Sequence, residues 1–463
     1  MVESSVKGRN PKAKKIAHRC FVAIAIIAVL ASGIYFARQS GTNPQKYNND
    51  FNVFYFAASE LLDGRDPYQD SLHAWTPYLY PPVLAELLMP LALLPLPVAA
   101  YVWFLISLSA AVLAARMSAT LAGLQEDEGL ETAGELPSRP PSPAANRFVM
   151  FITDLANRRS TIALLVGIIL LRFILDNFKL GQVNLIITAL AVAHIYFYAT
   201  NRRRLSVAMF ALAVAIKLTP ALLLAYHLAK RRWRFAAVCA ACAGGLMAAS
   251  FLPFGARAPE TFNVFFNRTV RNQQGFDLAY GGNQSLRGFV ARLTDQTQAA
   301  DHPQVSDTPS DQAVRQPSSA LTLVLAAILL AVAFLAAAVA RSEMAAAAPF
   351  FCCMVMLSPL SWKAHFVILI LPVAFLLRCV LEESSGSRKR LLLAVLLAVF
   401  ALSNLTSKNL FGEGFASWTD ARSLVLAAAF IVYVAAVWQA ARQFVKLKRS
   451  RHSETLYDHQ SAQ

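Results

Sequence analysis

The stretch "RRRLSVAMFALAVAIKLTPALLLAYHLAKRRWR", residues 202–234, carries a basic cluster at each end of one apolar run. Excess Lys and Arg mark the cytoplasmic side of a membrane protein, so a single crossing would strand one cluster outside. Pro220, just after Lys217, divides the run into two short halves, and an internal Pro removes a helix hydrogen bond. The charges and the break together predict a broken hairpin over 205–229 that enters the membrane and returns to the cytoplasm.

The rest of the chain agrees with a polytopic membrane protein. Of its 463 residues 56% are hydrophobic and 15% charged, against about 25% charged in soluble domains. Apolar runs long enough to cross a bilayer recur from residue 19 onward. The net charge of +16 is gathered at Lys7–Lys15, Arg202–Arg204, Lys230–Arg234, Arg388–Arg390 and Lys446–Arg451, each beside the end of an apolar run. Scattered in this way the charges write topology, and they lack the single basic stripe of a nucleic-acid binder. The lipid bilayer is the expected partner and nucleic acid is not. All six cysteines (Cys20, Cys239, Cys242, Cys352, Cys353 and Cys379) lie in or beside apolar runs. They read as small buried hydrophobes, because Cys239 and Cys242 have no second pair of ligands.

These features set the expected organisation. Residues 1–18 form a cytoplasmic basic N-terminus, 19–443 one integral membrane domain, and 444–463 a cytoplasmic basic tail. The first run, Cys20–Phe36, reads as an uncleaved span and not as a signal peptide. Further spans are expected at Val98–Leu121, Thr161–Leu175, Val183–Ala199, Phe235–Phe254, Leu321–Ala340, Ala345–Leu360, Phe366–Leu381, Leu391–Leu405 and Ala421–Gln443. With the hairpin that makes about 10–12 transmembrane helices. Residues 122–146, acidic and then Pro- and Ser-rich, read as a flexible cytoplasmic linker, and 255–319 as a polar external loop.

In the first external loop, Phe51, Phe54, Tyr55, Ala58, Leu61 and Leu62 recur at helical spacing, with Gly64 where a C-cap belongs. This helix is too short to span, and its aromatic face suits the membrane interface. Asp50 stands at its start, where Asp is a favoured N-cap. Trp75, Tyr78 and Tyr80 fit an interfacial aromatic belt or a sugar-stacking surface. The following "VLAELLMPLALLPLP" is denied continuity by Pro82, Pro90, Pro95 and Pro97, and reads as interfacial or partly re-entrant.

On this topology the unusual polar residues gather on the external side: Asn48–Asp50, Asp63–Asp66, Asp176–Lys179, Gln182, Asn184, Asn283–Arg287 and Trp362–His365. Carboxylate, imidazole, cations and amides suit deprotonating a hydroxyl and holding a phosphate. No metal-ligand spacing or phosphate-binding loop occurs, so neither metal nor cofactor is expected. An enzyme working outside has no nucleotide pool, which makes a lipid-phosphate-linked donor the natural substrate. A transporter or lipid flippase is the rival, supported by Lys217, His194 and the proline breaks. A non-catalytic scaffold leaves the external cluster unexplained. The sequon-like Asn267-Arg-Thr, Asn283-Gln-Ser and Asn404-Leu-Thr carry little weight without a secretory context.

Six stretches, "DFNVFYFAASELLDGRDPY" (50–68), "YLYPPVLAELLMPLALLP" (78–95), "GQVNLIITAL" (181–190), "AIKLTPALLL" (215–224), "NQSLRGFVARL" (283–293) and "LSPLSWKAHFVIL" (357–369), occur in that order. In them the chain resembles glycosyltransferase family 87, the DUF2029 group of polyprenyl-phosphate-sugar-dependent transferases with the GT-C fold, over roughly residues 20–440. The resemblance implies a plasma-membrane enzyme moving a hexose, mannose first, to a glycolipid or glycan acceptor at the periplasmic or exterior face. It implies inversion without a metal, Asp50 as general base and a role for His365. Lys217, Arg287, Lys363 and His365 are the cations available to the leaving phosphate. Trp362, Gln182, Asn184, Asn283 and Gln284 are candidates for substrate contact.

Overall fold

A computed structural model of the chain describes residues 27–39, 49–68, 77–130, 158–272, 278–294 and 319–461. Every regular element among them is helical. The N-terminal basic cluster, Cys20, Asn48 and Trp75 lie outside the described residues, as does most of the linker.

Helix α1 covers 27–39, α2 Asp50–Leu62, α3 Pro82–Ala92 and α4 Leu96–Leu130. A bent pair follows, α5 Arg158–Ile169 and α6 Leu171–Leu180, at 65°. Then come α7 Asn184–Ala199, α8 Arg203–Ile216, a 3-10 turn Thr219–Leu222, and α9 Leu223–Ala229. After α10 (Trp233–Ala249) the chain bends by 71° through a 3-10 turn into α11 (Ala258–Phe265) and a π-helical segment, Phe266–Asn272. The C-terminal half holds α12 Leu286–Thr294, α13 Ser319–Val339 and α14 Glu343–Met356. A 3-10 segment Lys363–Leu369 leads into α15 Ile370–Glu382. Beyond it lie α16 Gly386–Asn404, α17 Lys408–Ala421 and α18 Leu424–Ser461.

Four described helices are long and apolar enough to cross a membrane, or up to seven if each bent pair counts as one span; four shorter apolar helices accompany them. The chain is therefore a multi-pass membrane protein. The expected ten to twelve crossings exceed what helix length alone supports, because several apolar segments are short and enclosed by protein. Helix α14 is the extreme case, with every residue from Met344 to Met356 buried. Ser342 caps it, accepting from the Ala345 N–H at 3.0 Å. Its run Ala345–Ala348 lets neighbouring backbones approach closely, as small residues do between membrane helices.

The hairpin expected over 205–229 is present. Helix α8 ends at Lys217, the 3-10 turn carries Pro220, and α9 returns. Both flanking clusters then meet: Arg203 lies 3.5 Å and Arg232 4.2 Å from the centre of the Tyr198 ring. Near the base of the hairpin, the buried His227 pairs with His194 of α7 through their Nε2 atoms at 2.8 Å. Ser206 holds the other His194 nitrogen at 2.8 Å.

Three expectations change. The aromatic face of α2 does not lie in lipid: Phe51 and Phe54 are fully buried, and Phe51 stacks on Trp103 of α4 at 5.6 Å. Protein burial outcompetes the interface because α4 supplies a matching aromatic surface. The span 255–319 is not a plain loop, since α11, the π-helical segment and α12 fall within it. Helix α4 also runs past residue 122 to Leu130, so the linker begins later than composition suggests.

Candidate active site

Helix α2 is started by Asn49, not by Asp50. The Asn49 side-chain oxygen accepts from the Phe51 N–H at 2.8 Å, filling one of the donors every helix start leaves open. Asp50 is consequently the first helical residue, half-buried, and its carboxylate is excused from capping.

Gly181 locks this arrangement from the other side. It ends α6 in the left-handed conformation (φ 61°), and its carbonyl accepts from the Trp103 indole N–H at 2.9 Å. A Cβ built on Gly181 would overlap the Asn49 oxygen and stand 2.7 Å from the Phe51 Cβ. Only glycine lets α6 close on the cap that sets Asp50.

Asp50 opens into a cavity of about 1230 Å³, its mouth included. Gln182, Lys217, Arg268, Trp362 and His365 line it with Asp50, and Phe54, Leu79, Tyr80 and Leu218 form apolar wall. Each side chain is delivered by a break in a helix. Lys217 stands where the hairpin turns, Gln182 follows the end of α6, and Trp362 and His365 belong to the irregular stretch before α15. The loop 77–81 is pinned by two contacts: the Tyr68 hydroxyl donates to the Tyr80 carbonyl at 2.6 Å, and the Thr269 hydroxyl to the Leu79 carbonyl at 2.9 Å.

A hydrogen-bond chain sets the cation in place. Gln182 accepts from the Asn184 amide at 3.0 Å, and Asn184 accepts from the Lys217 ammonium at 2.7 Å. The ammonium lies 3.5 Å from His365 Nε2 and 5.8 Å from the Tyr80 ring centre. Burial pushes the Asp50 carboxyl up to about 7, with Lys217 pulling against that rise. The site thus holds a carboxyl raised by burial close to the Lys217 ammonium. Such a pair can accept a proton on one side and bind an anion on the other.

Asp50, Lys217, His365, Trp362 and Gln182 converge on the cavity, and Asn184 supports Lys217 from behind. The remaining expected residues are placed elsewhere. Asn283 spends its amide on the Leu278 and Pro359 carbonyls at 3.1 and 3.2 Å, and its oxygen accepts from the Ser361 N–H at 3.0 Å. Gln284 donates to the Gly281 and Asp420 carbonyls at 2.6 and 2.9 Å. Asn283 and the Gln284 backbone N–H, which donates to the Ser361 carbonyl at 2.8 Å, staple the 358–362 loop in position, and neither residue lines the cavity. Lys363 is in an ion pair with Asp420 at 2.6 Å, and Arg287 is half-buried at the start of α12 outside the cavity lining. Tyr78 is buried, donating to the Pro81 carbonyl at 2.9 Å, so Tyr80 alone of the two faces the cavity.

Arg268 was not anticipated. It falls within Asn267-Arg-Thr, where the sequon pattern draws attention to the asparagine, and inside a stretch expected to be loop. The available signal was a cation between the aromatics of "TFNVFFNRTV" (261–270). Among the described residues no group of three or more His, Cys, Asp or Glu side chains is placed to hold a metal.

The family model for Glycosyltransferase family 87 matches residues 78–360. A polyprenol-phosphate-mannose-dependent alpha-(1-2)-phosphatidylinositol pentamannoside mannosyltransferase of Mycolicibacterium smegmatis is 27% identical over 340 residues, covering 72% of this chain and 70% of that protein. A polyprenol-phosphate-mannose-dependent alpha-(1-2)-phosphatidylinositol mannoside mannosyltransferase of Mycobacterium tuberculosis is 27% identical over 278 residues, covering 58% and 59%. A protein of the same description from Mycolicibacterium smegmatis is 29% identical over 307 residues, covering 63% and 62%. The matches thus span less than two thirds of the length of the last two relatives. Among solved structures, ArnT from Cupriavidus metallidurans bound to undecaprenyl phosphate aligns with TM-score 0.41 and 12% identity, over 91% of this chain and 77% of that one.

Proposed function

Because the chain belongs to glycosyltransferase family 87, we propose that it transfers a hexose, mannose first, from a polyprenyl-phosphate donor to the hydroxyl of a glycolipid or glycan acceptor. The observation that carries this reading is the meeting of Asp50, Lys217 and His365 around one cavity, from three segments distant in sequence.

The reaction is an in-line displacement. The acceptor oxygen attacks the anomeric carbon, the bond to the lipid phosphate breaks, and configuration inverts. Asp50 takes the acceptor proton as that oxygen bonds, and a carboxyl poised near 7 matches a base working at neutral pH. The departing polyprenyl phosphate gains negative charge, which Lys217 and Arg268 are placed to stabilise. Asn184 holds Lys217 on target, and His365 borders it from the far side. Trp362 and Tyr80 offer ring faces for the sugar, and the apolar wall suits the first isoprene units.

The cavity lies at the end of α7 opposite Tyr198 and the basic clusters. With those clusters cytoplasmic, it opens to the periplasm or exterior, and the plasma membrane is the natural location. The reading is tested with membranes carrying the full-length protein and radiolabelled polyprenyl-phosphate-mannose. Label should pass to a glycolipid fraction, and Asp50→Asn should slow transfer by about 10²-fold or more at unchanged protein level. Full transfer by that variant would remove the base assignment.

A further inference from the structure

The hairpin that carries Lys217 builds a second pocket at its other end. Tyr198, Arg203, Arg231, Arg232, Trp233 and Arg234 line it with Phe235, around about 850 Å³ open to the surroundings. From Asn184 at the catalytic cavity to Tyr198 is 14 residues along α7, or about 21 Å at 1.5 Å per residue. The two pockets therefore sit at opposite ends of α7.

The positive-inside rule accounts for basic residues on this side but not for their assembly into a concave site. Arg203 and Arg232 are stacked on the same Tyr198 ring, which holds two like charges close together. Arg232 grips the Glu343 carboxylate with both terminal nitrogens, and that one carboxylate also acts on Arg203 through space. Arg203, Arg231 and Arg234 form no ion pair among the described residues. Arg231 adopts a left-handed backbone (φ 57°), as does Asn201 (φ 60°) in the facing turn. Both residues close a helix end, where Arg232 N–H donates to the His227 carbonyl and Arg202 N–H to the Phe197 carbonyl at 2.9 and 2.8 Å, so the two turns that frame the pocket are fixed by capping. Helices α8 and α10 both begin here without a side-chain cap, so their open N–H groups add to the positive field. Trp233 is 60% and Leu205 44% exposed at the rim, apolar surface where acyl chains begin.

We propose that this pocket binds the headgroup of an anionic phospholipid of the cytoplasmic leaflet. The guanidinium groups take the phosphate and Trp233 rests on the glycerol and acyl boundary. The lipid neutralises the repulsion between Arg203 and its neighbours, and so clamps the two limbs of the hairpin whose tip presents Lys217.

The test uses the full-length protein in detergent and native mass spectrometry with phosphatidylglycerol, phosphatidylcholine and inorganic phosphate as separate probes. Wild type should retain one phosphatidylglycerol in preference to phosphatidylcholine, and millimolar phosphate should not displace it. The double variant Arg231→Gly with Arg234→Gln removes two cations while giving position 231 a residue at ease with positive φ. It should fold normally and weaken phosphatidylglycerol about 30-fold, the loss expected for two membrane-surface cations. Arg388→Gln with Arg390→Gln, at the start of α16, should leave retention unchanged. Equal retention by wild type and the pocket variant, equal retention of phosphatidylcholine, or displacement by phosphate alone would each overturn the proposal.

Discussion

Replacing Gly181 with Ala should cripple transfer while the protein still folds. Position 181 is left-handed, which costs an L-residue about 1–2 kcal/mol. The new methyl would stand 2.7 Å from the Phe51 Cβ and 3.1 Å from the Phe36 ring, inside the 3.5–4.0 Å of comfortable carbon contact. It would also displace the Asn49 oxygen, forfeiting about 1 kcal/mol of capping. The sum, about 2–3 kcal/mol, falls on the turn that carries Asp50. If it is relieved by that turn leaving its place, the competent fraction drops about 30- to 150-fold. Gly64→Ala is the matched control. Gly64 is also left-handed (φ 71°) but a Cβ there meets nothing within 4 Å, so it bears the conformational cost alone. The assay is transfer from radiolabelled polyprenyl-phosphate-mannose, normalised to folded protein by fluorescence-detected gel filtration. Equal transfer rates for the two variants would refute the view that Gly181 holds the base in position.

Further outcomes follow from the same geometry. Asp50→Asn should lower kcat by about 10²–10⁴-fold, the usual weight of a general base, with melting temperature unchanged. The wild-type rate should fall about tenfold per pH unit below about 7, since the carboxylate is the working form and burial raises its pKa to that value. Lys217→Gln removes the charge that opposes this rise, so the limb should move to higher pH and donor KM should increase; an unmoved limb would separate the two groups. Arg268→Gln should lower kcat/KM for the donor about tenfold or more, with the loss appearing in kcat, reflecting loss of a charged hydrogen bond to the departing phosphate. Asp420→Asn breaks the Lys363 pair and should cost about 1–3 kcal/mol of stability while transfer per folded molecule is retained.

Much of this was legible in sequence because the signals were local. The charge at both ends of 202–234 and the break at Lys217–Pro220 identified the hairpin, and helical spacing identified α2. What escaped depends on long-range packing. Helix α17, "KNLFGEGFASWTDA", has two glycines and a kink at Gly412, so neither apolar length nor periodicity marks it. Asn283 and Gln284 have the chemistry of sugar ligands, and only the placement of Pro359, Ser361 and Asp420 shows that their hydrogen bonds are already committed. Lys363 is two residues from His365, yet the 3-10 geometry of that segment sends it to Asp420 and the imidazole to the cavity. Arg268 reaches the cavity through a π-helical segment that no simple period announces. Family resemblance drew attention to Asp50 but could not tell that Asn49 is the cap and that the Asp50 carboxylate is left free of it.

Division of labour between Asn49 and Asp50 leaves this protein one step from a decoy. Asp and Asn codons differ at a single nucleotide, and the exchange at position 50 keeps side-chain size while sparing the cap one residue earlier. The product would insert in the membrane, keep Lys217 and Arg268, and hold polyprenyl-phosphate sugar without consuming it. On the proposed mechanism, such a variant competes with the intact enzyme for the same donor lipid. A cell expressing that variant beside the intact enzyme would lose glycolipid through sequestration, and the phenotype would be dominant.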